Sequence, residues 1–145
     1  MASVDQLLLI AESYRRLTGK SLVAPASDIE TALRDAPRAI VAHGTEPDPT
    51  FFYGNAQALA LFELPFERFA GMPSRLSAEP THRDERARLL VRVARDNFID
   101  DYAGIRISAT GRRFRIEQAT VWNLVDAAGA IHGQAATFDR WRMLD

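Results

Sequence analysis

The sequence predicts an α+β domain: five antiparallel strands in one sheet, helices on one face of it, and further helices ahead of the core. Three observations carry this expectation. Two short β-prone runs, RAIVAH and FFYG, precede a series of helical segments. An amphipathic stretch, THRDERARLLVRVARDN, follows them. Three further β-prone runs joined by tight turns then close the chain, a succession that suits one antiparallel sheet with a helical layer. At 145 residues the chain has room for one core and no independent second domain. We divide it into an N-terminal helical extension, 1–37, and a main body, 38–145.

Taken in order, the first helix starts at a capping box, Ser3 with Gln6, and carries Val4, Leu7, Leu8, Ala11 and Tyr14 at helical spacing until Gly19 ends it. A second box, Ser27 with Glu30, opens a shorter helix whose stripe is Ile29, Ala32, Leu33 and Ala36, with Pro37 as the stop. RAIVAH and FFYG are separated by the turn-rich GTEPDPT. Asn55 stands where an N-cap belongs, ahead of Ala58, Leu59 and Phe62, and Pro65 limits that helix before a short helical turn at PFERFAG. In the next helix Ala87, Leu90, Val91 and Ala94 form the expected apolar side, with Glu85, Arg88, Arg92, Arg95 and Asp96 opposite.

The closing runs are YAGIRIS, RRFRIEQATVWNLV and HGQAATFDRW, broken at Ala109-Thr110-Gly111 and at Asp126-Ala127-Ala128-Gly129. Connections this short join antiparallel neighbours, so a three-stranded meander is expected. In the middle run strict alternation puts Phe114, Ile116, Gln118, Thr120, Trp122 and Leu124 on one face. Ala119, Val121, Asn123 and Val125 lie on the other, a mixed face that the N-terminal helices or a second subunit would cover.

Composition narrows the function. A net charge of −1 offers no general attraction to nucleic acid or to an anionic membrane, and neither is expected as a partner. The absence of cysteine removes disulfides, thiolate nucleophiles, zinc–thiolate sites and cysteinyl photoadducts, though flavin without an adduct stays open. The first residues contain only the short apolar run LLLIA, flanked by Asp5 and Glu12. They lack a signal peptide's basic start and long apolar middle, so a cytoplasmic location is expected.

The segments FFYGNAQALALFEL, MPSRLSAEP, ERARLLVRVARDN and DDYAGIRISATGRRFRIEQATVWNLVDAAGAIHGQAATF, from Phe51 to Phe138, resemble the MEKHLA domain, a PAS-like family. SRLSAEP, GIRIS and GRRFRI are its most specific phrases. That family occurs as short stand-alone bacterial proteins, the form this chain resembles, and at the C-terminus of plant homeodomain–leucine-zipper factors. The resemblance implies a PAS-like fold and a role in sensing or protein association. It implies no particular ligand and leaves the cofactor unknown.

Few residues suggest chemistry. His43, His82 and His132 have no metal-motif spacing, so no metal site is expected; His82, at a helix start, is the best placed for haem, but reads more simply as a solvated first-turn residue. No glycine-rich phosphate cradle occurs. Asp100 and Asp101 adjoin and so point to opposite faces, and no serine sits in a GxSxG setting, which leaves no catalytic residue to nominate. Of 18 Lys and Arg residues only Lys20 is a lysine, and Arg83, Arg86, Arg88, Arg92 and Arg95 share one helix. Interleaved Asp84, Glu85 and Asp96 make a solvated, self-paired face the simpler reading of that row.

Polar residues in phase with an apolar strand face are more informative, because a buried amide must find a partner. Phe52, Phe62, Gln118, Trp122 and Gln134 are therefore the candidate ligand-binding residues, around a small and mostly apolar space. The expected partners are a small-molecule ligand and a second copy in a homodimer. Two rivals stand beside this sensor reading. One is a pure association module with a filled core; the other is a cone-fold isomerase or dehydratase, against which the strands ahead of the helices argue.

Overall fold

The computed structural model describes residues 2–24, 28–79 and 83–144. Along the chain run α1 (Val4–Thr18), α2 (Ile29–Arg34), β1 (Ala39–His43), β2 (Phe51–Gly54), α3 (Ala56–Phe62), α4 (Phe66–Phe69), a 3-10 turn (Ser74–Ser77), α5 (Arg83–Asp96), β3 (Phe98–Ile107), β4 (Arg113–Val125), β5 (Ile131–Phe138) and β6 (Arg140–Met143). All strands pair antiparallel in one sheet of order β2-β1-β5-β4-β3, with β6 also on β4. Among the described residues no helix is long and apolar enough to cross a membrane.

The sheet has six strands where the sequence predicts five. β4 spans 13 residues and β5 only 8, so the first half of β4 would otherwise present an unpaired edge. After Phe138 the chain skips one residue and pairs again, Glu117 with Arg140 through Phe114 with Met143, in the register that β5 holds from Gln134 to Thr137.

Two bulges decide which side chains face which layer. Opposite β4, the adjacent Asp100 and Asp101 share the place of one residue and both are exposed. Farther along, Tyr102 pairs with Ala119 but Gly104 with Ile116, so Ala103 opposes both Glu117 and Gln118, and Gln118 takes a left-handed φ of 52°. A one-residue insertion reverses every later side chain on its strand. The alternation expected from the sequence is thus broken at Gln118, which is exposed on the bulge rather than turned inward. Phe114 and Ile116 continue inward as Ala119 and Val121, packed with Phe62, Phe69, Leu89 and Val93 of the α3–α5 layer. Trp122 and Leu124 lie on the opposite face, with Leu7, Ile10 and Tyr14 of α1 and Leu33 of α2.

Helix α1 begins at the predicted capping box: Gln6 N–H donates to Ser3 Oγ at 3.1 Å and Ser3 N–H to Gln6 Oε1 at 2.9 Å. Gly19, with φ 75°, closes it. Its buried stripe is Leu7, Ile10 and Tyr14, whereas Val4 and Leu8, expected inside, are exposed. Ser13 explains part of that rotation. Its hydroxyl donates to Leu9 O at 2.6 Å and accepts from Trp122 Nε1 at 2.9 Å, so a polar residue faces the sheet. Tyr14 meets the same indole edge-on, centroids 4.9 Å apart. For α2, the predicted cap Ser27 lies outside the described residues; Asp28 accepts from Glu30 N–H at 3.1 Å.

Candidate functional site

Between α5 and the inner face of the sheet lies a cavity of about 70 Å³. Phe62, Leu89, Ile116 and Val121 give it apolar walls; His43, Ser77, Arg86, Tyr102, Arg106 and Gln134 add polar ones. Phe62 and Gln134 are thus the two sequence-nominated residues that line it. The other three do not. Phe52 is half-buried beside the α1 cluster, Gln118 is exposed on its bulge, and the Trp122 ring is enclosed beneath α1. The shift at Gln118 is the reason for the last two. Gln134 has a partner within the protein: its Nε2 donates to Asn123 Oδ1 at 3.0 Å, and Asn123 Nδ2 donates to Val93 O at 3.0 Å and Asn97 Oδ1 at 3.2 Å. His82, considered for haem, lies outside the described residues.

Arg86, Tyr102 and Arg106 were not among the nominated residues. The inward stripe of α5 is Arg86, Leu89, Leu90 and Val93; Ala87, Val91 and Ala94, expected inside, are exposed. Arg86 therefore leaves the solvated arginine row and occupies the cavity wall. The available signal was its i, i+3, i+4, i+7 phase with Leu89, Leu90 and Val93, which a charge conceals from an apolar count. On β3 the inward residues are Tyr102, Gly104 and Arg106, a period of two opposite in phase to the apolar Ile105 and Ile107, which draw an apolar reading to the wrong face.

The electrostatics of this wall are unusual. Arg86 donates to Ser74 Oγ, and burial together with the nearby Arg106 charge pushes its pKa down to about 10. Arg106 is 8% exposed; it donates to Ile105 O at 3.0 Å and stands 5.5 Å from the Tyr102 ring centroid as a cation–π contact. Among the described residues neither guanidinium has a carboxylate within ion-pair distance. The buried Tyr102 hydroxyl has no hydrogen-bond partner among the described residues. Gly104 makes room for it, since a Cβ there would lie 2.1 Å from Tyr102 Oη.

His43 closes the polar side. Its Nδ1–H donates to Gly44 O at 2.9 Å, which leaves Nε2 as the acceptor nitrogen of the neutral ring. Burial, reinforced by Arg86, holds its pKa below the ordinary 6.5, while Gly44 O and Glu46 oppose the shift. In the window between that lowered value and 6.5 the unfolded chain binds the additional proton. Stability should therefore rise with pH across this window and level off above it. Urea midpoints measured from about pH 5 to about pH 8 should show this rise, and His43→Gln should flatten it. An unchanged slope in the variant would assign the rise to other groups.

The MEKHLA domain profile matches residues 4–143, so the match takes in α1 and α2 as well as the sheet. No curated protein matches the sequence. Among solved structures the fold is similar to the PAS domain of a protein from Colwellia psychrerythraea, at 14% identity over 79% of this chain and 92% of that one, TM-score 0.66. It is also similar to a light-oxygen-voltage domain studied with a flavin analogue, at 15% identity over 79% of this chain and 83% of that one, TM-score 0.62. A third is the PAS domain, in complex with ethanol, of a LuxR-family transcriptional regulator from Burkholderia thailandensis, at 18% identity over 81% of this chain and 97% of that one, TM-score 0.61. At these identities the likeness establishes a PAS-like fold.

Proposed function

The chain belongs to the MEKHLA domain family, and on that premise we propose that it is a PAS-like sensory module whose core cavity takes a small ligand and whose β4 strand passes occupancy to α1. The observation that supports this reading is the division of labour along β4. Val121 lines the cavity, while its neighbour Trp122 is bonded to Ser13 of α1 on the other side of the sheet. A ligand that moves β4 by a fraction of an ångström changes the seat of α1, and a shift in α1 alters whatever partner or second copy it contacts. Cavity size bears on the ligand. About 70 Å³ is far below the roughly 300 Å³ at which drug-sized pockets begin, so a flavin does not fit, whereas a molecule on the scale of ethanol does.

The test is an amide NMR titration of the full chain with ethanol, propionamide and propionate, paired with hydrogen exchange. Ligand entry should move the signals of Phe62, Leu89 and Val121, and exchange protection within residues 4–18 should change in the same samples. If none of these probes moves the cavity signals, the ligand-binding reading fails. If the signals move while residues 4–18 keep their protection, the coupling through β4 fails.

A further inference from the structure

Resting on the cavity reading above, we infer that the ligand is a short-chain organic carboxylate, its anionic head held by Arg86 and Arg106 and its hydrocarbon tail packed against Phe62 and Val121. Two cations share one small cavity, and among the described residues neither has a carboxylate within ion-pair distance; Asp48 acts on Arg86 only from farther off. Buried charges are ordinarily paired, because removing them from water costs far more than a neutral side chain would. Beside them sits the Tyr102 hydroxyl, buried and without a hydrogen-bond partner among the described residues, in a class of atom that nearly always has one. Each of these groups lacks the same thing, a hydrogen-bond acceptor carrying negative charge. An entering carboxylate supplies it: the planar guanidinium forks match its two oxygens, and Tyr102 Oη donates to a remaining lone pair.

The rest of the lining selects among anions. Phe62, Leu89, Ile116 and Val121 offer no polar group, so the part of the ligand that meets them is hydrocarbon. A cavity of about 70 Å³ accommodates an acid of only a few carbons, given that one buried water needs roughly 10–15 Å³ by the same measure. Inorganic phosphate has no apolar portion and fits this lining less well.

The experiment is a binding titration by amide NMR of the full chain with propionate, its neutral isostere propionamide, and inorganic phosphate, repeated on Tyr102→Phe and Arg106→Leu. Tyr102→Phe is the cleaner variant, because it deletes only an unbonded hydroxyl and should leave the free protein at least as stable. Propionate should bind at the cavity at least tenfold more tightly than propionamide, lose about tenfold or more in Tyr102→Phe, and lose more in Arg106→Leu. Propionamide binding the cavity as tightly as propionate, or Tyr102→Phe keeping full propionate affinity, would overturn the carboxylate assignment and leave the cavity as a neutral-ligand site. Phosphate binding more tightly than propionate would overturn it in favour of an inorganic anion. Failure of all three probes to reach the cavity would overturn this inference, and failure of ethanol to reach it as well would overturn the ligand-binding reading with it.

Discussion

Asn55→Ala should lower stability by about 4 kcal/mol, enough to remove much of the margin of a domain this size. The side chain is 1% exposed and makes four hydrogen bonds. Its Oδ1 accepts from Ala58 N–H at 3.1 Å, the capping bond of α3, and from Ile40 N–H at 3.0 Å in β1. Its Nδ2 donates to Leu33 O at 2.9 Å at the end of α2 and to Arg38 O at 2.8 Å. One amide thus ties two helices to the strand between them, and alanine removes four hydrogen bonds at about 1 kcal/mol each. Asn55→Asp separates this role from capping. Aspartate is as good an N-cap as asparagine, yet it loses both donors and sets a carboxylate against two carbonyl oxygens. Urea denaturation should find the aspartate variant destabilised by at least half as much as alanine; recovery of the parent midpoint would reduce Asn55 to a simple helix cap.

The second large effect is expected on the opposite face of the sheet. Trp122→Ala should cost about 3–5 kcal/mol, since it empties the largest fully buried volume in the α1 interface. It also strips the edge-on contact with Tyr14 and the bond to Ser13 Oγ. The loss should be local in character, because Val121 and the cavity lie on the other side of β4. Hydrogen exchange should show residues 4–18 opening first while the β3–β4 pairing stays protected under the same conditions. Trp122→Phe, which retains most of the apolar area but not the N–H, should fall between the parent and alanine. Equal protection of α1 in the parent and the alanine variant would mean that the indole does not hold the helix.

The Trp122 prediction rests on a division of the sheet into two differently covered faces. Much of the fold behind it was legible beforehand. Ser3 with Gln6, Gly19 and Asn55 marked helix ends correctly because capping chemistry is local: a side chain bonds a backbone group three residues away, or a glycine takes the left-handed φ that ends the helix. The β1–β2 pair ahead of the helices and the meander behind them followed from turn residues and period-two runs. The resemblance seen from Phe51 to Phe138 extends in the family match to residues 4–143.

The site was legible only in part. Phe62 and Gln134 line the cavity, but so do Arg86, which the sequence assigns to a solvated helix face, and Tyr102 and Arg106, which it does not single out. Arg86 is in phase with Leu89, Leu90 and Val93, whereas Tyr102 and Arg106 share their phase of β3 with Gly104 and alternate with Ile105 and Ile107. An apolar count cannot register that, because the property that makes these residues notable inside is the one that places most of their kind outside.

The amino-acid sequence by itself determined the helix ends at Ser3, Gly19 and Asn55 and the succession of an antiparallel α+β domain, since those choices depend on groups within a few residues of one another. Only the tertiary structure decided which face each residue of β4 presents. Two residues of that strand oppose Ala103, Gln118 turns left-handed, and Val121 and Trp122 consequently exchange sides. Such a slip is a property of two strands in register, separated along the chain, and alternation read along one of them carries no record of it.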